Sequence, residues 1–280
     1  MTRRLDRALF DQGLALSRTH ARRIVDEGRA RINGRVASRA AAPVNDADLL
    51  TVVDAPEGGE YASRAAHKLD GALTALGLAA EISGSHALDL GASTGGFTDV
   101  LLRRGARHVH AVDVGHGQLI DRLAQDPRVT SLERTDARSV TPGMLGGAPG
   151  VIVSDVSFIS LTALMPAVER VAAPGALVLL MVKPQFEAGR GAVPKSGVIT
   201  DPGVWRSAVE RVAQAAEQEG LQVCAVEPSP LAGQDGNREF FLVARAGSDP
   251  HSSAVRESES TSARCDMIER AVDRARRTDG

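Results

Sequence analysis

Only two cysteines, Cys224 and Cys265, occur in 280 residues, and neither stands in a metal-ligand spacing with the seven histidines. A disulfide framework is excluded, no metal site is expected, and Cys224, inside a strand-like run, reads as a small core hydrophobe. Lysine is scarcer still for its class: of 33 basic residues, only Lys68, Lys183 and Lys195 are not arginine. Arginine keeps its proton in a protein whereas a buried lysine can give it up, so a position that holds lysine here marks a need for an amine. Aromatic residues make up 3% of the chain, which leaves few rings for a stacking surface. No apolar run approaches the roughly 20 residues that span a bilayer, the longest covering 176–182. The opening Met1-Thr2-Arg3-Arg4 passes at once into Leu5-Asp6-Arg7 without an apolar h-region, so the chain is expected to lack a signal peptide and to be cytoplasmic.

A formal net charge of −2 excludes a globally basic packager of nucleic acid, yet a local basic face can hide in that sum. Residues 1–40 hold ten arginines against Asp6, Asp11, Asp26 and Glu27. Within that segment Leu5, Ala8 and Leu9, and again Ala21, Ile24 and Val25, have helical spacing and predict helices over 5–12 and 17–27. Ser17 is placed to cap the second helix and Gly28 to end it. Asn33-Gly34 predicts a hairpin over 31–36, and 49–53 reads as a further strand. A first domain is therefore expected over 1–55, followed by an acidic, turn-rich linker at 56–62. Arg4, Arg7, Arg18, Arg22, Arg23, Arg31 and Arg35, with Arg29 nearby, predict a positive face. Few acids interleave with them, which favours phosphate contact over an ordinary solvated surface.

From 63 to 246 apolar strands alternate with helix-length segments, so an α/β domain with a largely parallel sheet is expected. Candidate strands cover 86–90, 108–114, 129–132, 151–155, 177–183, 221–227 and 239–245. The last two are separated by 11 residues rich in Pro and Gly, too few for a helical crossover, so a reversed hairpin is expected there. Residues 247–262 are polar and Ser-rich. Beyond them Met267, Ile268, Ala271, Val272 and Ala275 form one apolar stripe on a terminal helix expected to dock on the body, completing a final segment 247–280.

The strongest local signal runs from Ala87 through Asp89-Leu90-Gly91-Ala92-Ser93-Thr94-Gly95-Gly96-Phe97: a strand end, a glycine-rich turn and a helix start. Glycine lets the backbone approach a ligand, and a helix start favours anionic groups. The spacing Gly91-x-x-x-Gly95-Gly96 is neither the G-x-G-x-x-G of a dinucleotide site nor a P-loop, which excludes a nicotinamide oxidoreductase. Asp113 closes the next strand, where a carboxylate can hold both hydroxyls of a ribose. Asp136 follows the third strand, placed for an adenine amino group. Together these are the parts that S-adenosylmethionine requires, with contacts expected from Asp89, Gly91, Ser93, Gly95, Gly96, Phe97, Asp113, Asp136 and Asp155. Asp155 and Lys183 end the fourth and fifth strands and so face the same crevice, at the carboxyl edge of the sheet. A lysine closing an apolar strand is costly unless paired or used. Lys68 lies on the helix before the first strand, and Glu239 opens the last.

Lys68, Asp155, Lys183 and Glu239, in that order and on those elements, resemble the Lys-Asp-Lys-Glu tetrad of FtsJ-like ribose 2′-O-methyltransferases. Arg4-Leu5-Asp6, Gly13, Ser17-Arg18, Ala21, Ile24, Gly28 and Arg31-Ile32-Asn33-Gly34 resemble the RNA-binding domain of small-subunit ribosomal protein S-four. With Ser63-Arg64-Ala65-Ala66-His67-Lys68-Leu69, Ser157-Phe158-Ile159-Ser160 and Lys183-Pro184-Gln185-Phe186-Glu187, the chain to Ala246 resembles the TlyA group. Members of that group are named haemolysins but act as rRNA cytidine 2′-O-methyltransferases. The resemblance implies a seven-stranded Rossmann-like methyltransferase sheet behind a small α+β RNA-binding domain. It implies S-adenosylmethionine as cofactor, no metal, and rRNA of the 30S subunit, the 50S subunit or both as partner. It also implies Lys183 as the base for a ribose hydroxyl, Asp155 as its orienting acid, and Lys68 and Glu239 as positioning groups. With so few aromatic residues in the chain, Phe158 and Phe186 are the foremost candidates to stack on a target base. A non-catalytic RNA-binding factor would leave both lysines and both acids unexplained. Haemolysis taken literally lacks a lipid-seeking helix.

Overall fold

Leu5, Ala8 and Leu9 meet Ala21, Ile24 and Val25 in a small core of their own, and this contact stabilises the first two periodic stretches as helices. The computed structural model describes residues 2–53, 60–189, 191–233, 235–247 and 257–277. Of the expected linker 56–62 only 60–62 fall among these, and the Ser-rich stretch lies mostly outside the described residues.

The front unit comprises β1 (Arg3–Arg4), α1 (Leu5–Asp11), α2 (Arg18–Asp26), β2 (Ala30–Ile32), β3 (Arg35–Val36), β4 (Pro43–Val44) and β5 (Leu50–Val52). Ser17 caps α2 by accepting from the His20 amide at 3.0 Å, and Asn33 and Gly34 turn the β2–β3 hairpin with positive φ of 52° and 82°. The expected further strand is present as β5, which joins the other side of β2, whereas the β1–β4 pair had no sequence signal. Two-residue strands carry too little alternation to read.

Behind it come α3 (Ala65–Ala75), β6 (His86–Leu90), α4 (Gly96–Arg103), β7 (His108–Val112), α5 (Asp121–Ala124), β8 (Val129–Leu132), α6 (Pro142–Leu145), β9 (Val151–Ser154) and α7 (Met165–Val171). The chain then forms β10 (Leu177–Val182), α8 (Pro184–Glu187), α9 (Pro202–Gln218), β11 (Leu221–Pro228), β12 (Phe240–Ala246) and α10 (Glu257–Arg277). β6 to β12 form one sheet in the order β11-β12-β10-β9-β6-β7-β8, parallel except for β12, which runs antiparallel to both β10 and β11. The seven expected strands and the reversed hairpin are all present.

β10 shows why its sequence is uniformly apolar: Val178, Leu180 and Val182 enter the core on one face, Leu177, Leu179 and Met181 the core on the other. α10 buries Ile268, Ala271, Val272 and Ala275 beside α9 and β11, flanked by Arg264 paired to Glu210 at 2.9 Å and Arg274 to Glu227 at 2.8 Å. Cys224 is a correction. A register shift in the β11–β12 ladder lies between Val223 and Ala225, and at this bulge Cys224 is exposed rather than in the core.

The two units meet at Glu60. Its carboxylate takes Arg23 at 2.5 Å and Arg29 at 3.0 Å from the front unit, and its carbonyl accepts from Arg103 of α4 at 2.9 Å. Arg29, expected on the positive face, is instead buried between Glu27 and Glu60 with Nε donating to the Val53 carbonyl. Arg23 likewise turns to Glu60 and leaves the face that carries Arg18 and Arg22.

Candidate active site

β7, β8, β9 and β10 deliver Asp113, Glu133, Asp155 and Lys183 just past their carboxyl ends, while Asp89 lies within β6 and Glu239 directly precedes the antiparallel β12. At the end of β6 the turn uses Gly91 and Gly95 with φ of +86° and +97°, conformations that side chains with a Cβ rarely adopt. A Cβ on Gly91 would lie 3.1 Å from Val156, so the turn sits directly on the β9 loop. Gly96 acts through space rather than conformation. A Cβ there would come within 2.3 Å of Ser63 Oγ, so glycine lets α4 close onto the start of α3 and brings the Lys68 helix to the site. Phe97, expected as a cofactor contact, turns its ring into the core, stacked on Phe241 at 6.0 Å.

Asp89 is fully buried. Thr98 Oγ1 donates to one carboxylate oxygen at 2.7 Å, and the other has no hydrogen-bond partner among the described residues. Burial, and then the nearby negative charges of Asp155 and Asp113, push its pKa up to about 7. Asp113 ends β7 early because its carboxylate turns back to accept from the Ser93 amide at 2.8 Å and the Gly115 amide at 2.7 Å. Ser93, Asp113, Gln118 and Glu133 line a small recess there. Asp136 does not reach that recess. It caps the short turn Ala137–Ser139 and is clamped by Arg138 at 2.5 Å, because an arginine two residues on satisfies it locally. Glu133, at the end of β8, lines the recess instead. An acid placed directly after a strand was the available signal for it.

Lys68, Asp155, Lys183 and Glu239 form two ion pairs. Lys68 Nζ donates to Glu239 Oε2 at 2.5 Å, with both side chains buried. Lys183 Nζ lies 2.8 Å from Asp155 Oδ1 and donates to Ser157 Oγ at 2.7 Å. Buried charges persist only when paired, and each lysine here has its own acid. In the sequence Ser157 stands out only as one member of a motif, whereas in the structure its hydroxyl is bonded to the lysine nitrogen.

The next residue, Phe158, has φ of +66°, a costly conformation for a bulky side chain, and is 88% exposed. Its ring lies 5.2 Å from that of Phe186, which in turn lies 6.0 Å from Lys183 Nζ. Glu187, at the end of α8, ties that helix to the loop that carries Phe158, accepting from Ser160 Oγ at 2.6 Å and the Leu161 amide at 2.7 Å.

On the front unit Arg4, Arg18 and Arg22 converge on the carboxylate of Asp6. Arg35 is exposed and Arg31 half-buried beside the hairpin, while Arg7 lies 3.6 Å from Asp11. Among the described residues no group of three or more His, Cys, Asp or Glu side chains is arranged to hold a metal ion, and no helix is long and apolar enough to cross a membrane.

The family model of FtsJ-like methyltransferases matches residues 61–246, and that of the S4 domain matches 3–50. Over 246 residues, 88% of this chain and 91% of the relative, the sequence is 47% identical to the 16S/23S rRNA (cytidine-2′-O)-methyltransferase TlyA of Mycobacterium tuberculosis. It is 37% identical over 239 residues to Hemolysin A of Brachyspira hyodysenteriae, covering 85% of this chain and 98% of that one. A solved structure of a hemolysin candidate from Streptococcus thermophilus superimposes with a TM-score of 0.70 at 32% identity, over 99% of this chain and 98% of that chain. Fold and site together define an FtsJ-like methyltransferase that carries an S4 domain at its front. Within that class, the chain belongs to the TlyA family.

Proposed function

We propose that this chain uses S-adenosylmethionine to methylate the 2′-hydroxyl of cytidine in rRNA, acting in the cytoplasm on the 30S or 50S ribosomal subunit or both. The two lysine–acid pairs gathered at the carboxyl edge of the sheet, beside the glycine turn, are its main support. The division of labour follows the expected boundaries, 1–55 for gripping RNA and 63–246 for chemistry.

The residues around the turn fit the cofactor. Gly91 and Gly95 offer close backbone approach, Asp113 and Glu133 offer carboxylates beside Ser93, and the buried Asp89 holds an unbonded oxygen among the described residues. S-adenosylmethionine supplies an electrophilic methyl group carried on a sulfonium. Ribose hydroxyls are weak nucleophiles, so their proton must leave as the oxygen attacks, and Lys183 is the acceptor once its ammonium has released a proton and stands as the neutral amine. Asp155 and Ser157 fix the position of its nitrogen. Glu239 holds Lys68 in place, where the ammonium orients the ribose. Phe158 and Phe186 form the platform for a base turned out of its helix.

The deciding experiment is methyl transfer from labelled S-adenosylmethionine to purified 30S and 50S subunits and to naked rRNA. Incorporation that maps to a cytidine ribose is expected. A protein that binds the cofactor yet labels none of these would have another RNA substrate. Separately, Arg18→Glu with Arg22→Glu is expected to weaken rRNA binding at least tenfold and to flatten its salt dependence, with cofactor affinity unchanged. An equal fall in cofactor affinity, read by calorimetry, would overturn the division of labour.

A further inference from the structure

On the front unit an acid sits where an RNA-binding face should repel one. Asp6, in the first turn of α1, is 0% exposed, yet both of its oxygens are occupied by arginines whose side chains are about half exposed. Arg4 makes a two-pronged contact, Nε to Oδ1 at 3.0 Å and Nη2 to Oδ2 at 3.1 Å. Arg18 Nη2 and Arg22 Nε each reach Oδ2 at 3.3 Å, from positions one helical turn apart on α2. The Arg7 amide, donating to Oδ1 at 2.9 Å, fixes the carboxylate to the helix start. Three positive charges thus share one negative charge that solvent does not touch.

We propose that Asp6 is the positioning residue of an RNA-backbone phosphate site, holding Arg4, Arg18 and Arg22 as one pre-ordered cradle. This rests on the reading of the front domain as the RNA grip. A free arginine side chain samples many rotamers and loses them on binding. Here the loss is taken on folding, because each guanidinium is bonded to Asp6 while its side chain stays about half exposed. A phosphate meets the net excess of two positive charges and is kept from the carboxylate by the arginines themselves. The hydrogen bonds from Arg4 and then the other two hold the Asp6 carboxyl far below the usual carboxylate range, so the template is charged at neutral pH.

The expected effect of neutralising Asp6 is opposite in sign to simple charge counting. Asp6→Asn adds one positive charge to the face, which by general electrostatics tightens binding to a polyanion. Loss of the template instead predicts about tenfold weaker binding of rRNA transcript at fixed salt, and a smaller penalty for Arg18→Ala in the Asp6→Asn background than in the wild type. Equal or tighter binding by Asp6→Asn, at an unchanged melting temperature, overturns it. Should Asp6→Asn melt early, the surface pair Arg4→Ala and Arg18→Ala decides. A double variant that loses less than the product of the single losses supports a shared cradle, and losses that simply multiply overturn it. If the wild type itself fails to bind rRNA, the reading of the front domain falls, and that outcome is distinct from a wild type that binds and an Asp6→Asn that binds as well.

Discussion

Replacing Lys183 by alanine is expected to slow methyl transfer by about 10²- to 10⁴-fold, the range a general base supplies. Lys183→Arg is expected to fail almost as badly, because a guanidinium keeps the charge and the hydrogen bonds but cannot give up its proton. That comparison separates a base from a mere positive charge. Asp155→Asn should lose most of the same activity, and the double variant little more than either single one, since the pair at 2.8 Å acts as a unit. Single-turnover rates with saturating cofactor measure this directly. Melting curves must accompany them, because removing Lys183 strands a partly buried carboxylate. A Lys183→Arg enzyme with near wild-type rate would eliminate proton abstraction by this side chain.

Asp89→Asn is expected to make the ligand-free protein more stable at pH 8 and less able to bind the cofactor. The carboxyl is fully buried, and its pKa is pushed up from 3.8 to about 7. A folded-state pKa above the unfolded one means that the native protein holds the proton longer. Stability from this group is therefore complete below about pH 4, falls as pH rises toward 7, and is constant above that. A shift of about three units corresponds to on the order of 4 kcal/mol. Asparagine keeps an acceptor for Thr98 and cannot ionise, so melting temperatures of wild type and variant should converge near pH 4 and separate by pH 8. A cationic ligand reverses the preference, since it favours the ionised carboxylate. Cofactor affinity in the wild type should thus rise with pH up to about 7 and be nearly flat in Asp89→Asn, as calorimetry would show. Equal melting temperatures at pH 8 would refute the burial argument.

Much of this molecule was legible in its residues, for identifiable reasons. The apolar strands, the glycine turn and the short Pro- and Gly-rich connection before Phe240 each leave a periodic or compositional mark, and each led to the right element. The two lysines could be singled out because arginine fills nearly every other basic position. What the sequence could not carry was direction. Arg23 and Arg29 belong to the same basic segment as Arg18, yet Glu60, an acid beyond the first domain, turns them to the junction. Asp136 had the right place in the chain but found Arg138 two residues away. Phe97 follows the glycine turn closely, but Phe241, far along the chain, draws its ring inward. In each case a partner distant in sequence, or too near, decided the outcome, and a linear pattern records neither.

The sheet order also sets a timetable for making the protein. The front unit has all its strands once Val52 has been synthesised, and its core needs nothing that comes later. The large sheet cannot finish in that way, because β12, the last strand made, is inserted between β10 and β11. Until Ala246 has emerged, β10 keeps an open edge of the kind that other chains can pair with, and β11 has no neighbour in the sheet. A nascent chain halted before that point carries a finished front domain joined to an unfinished, adhesive sheet.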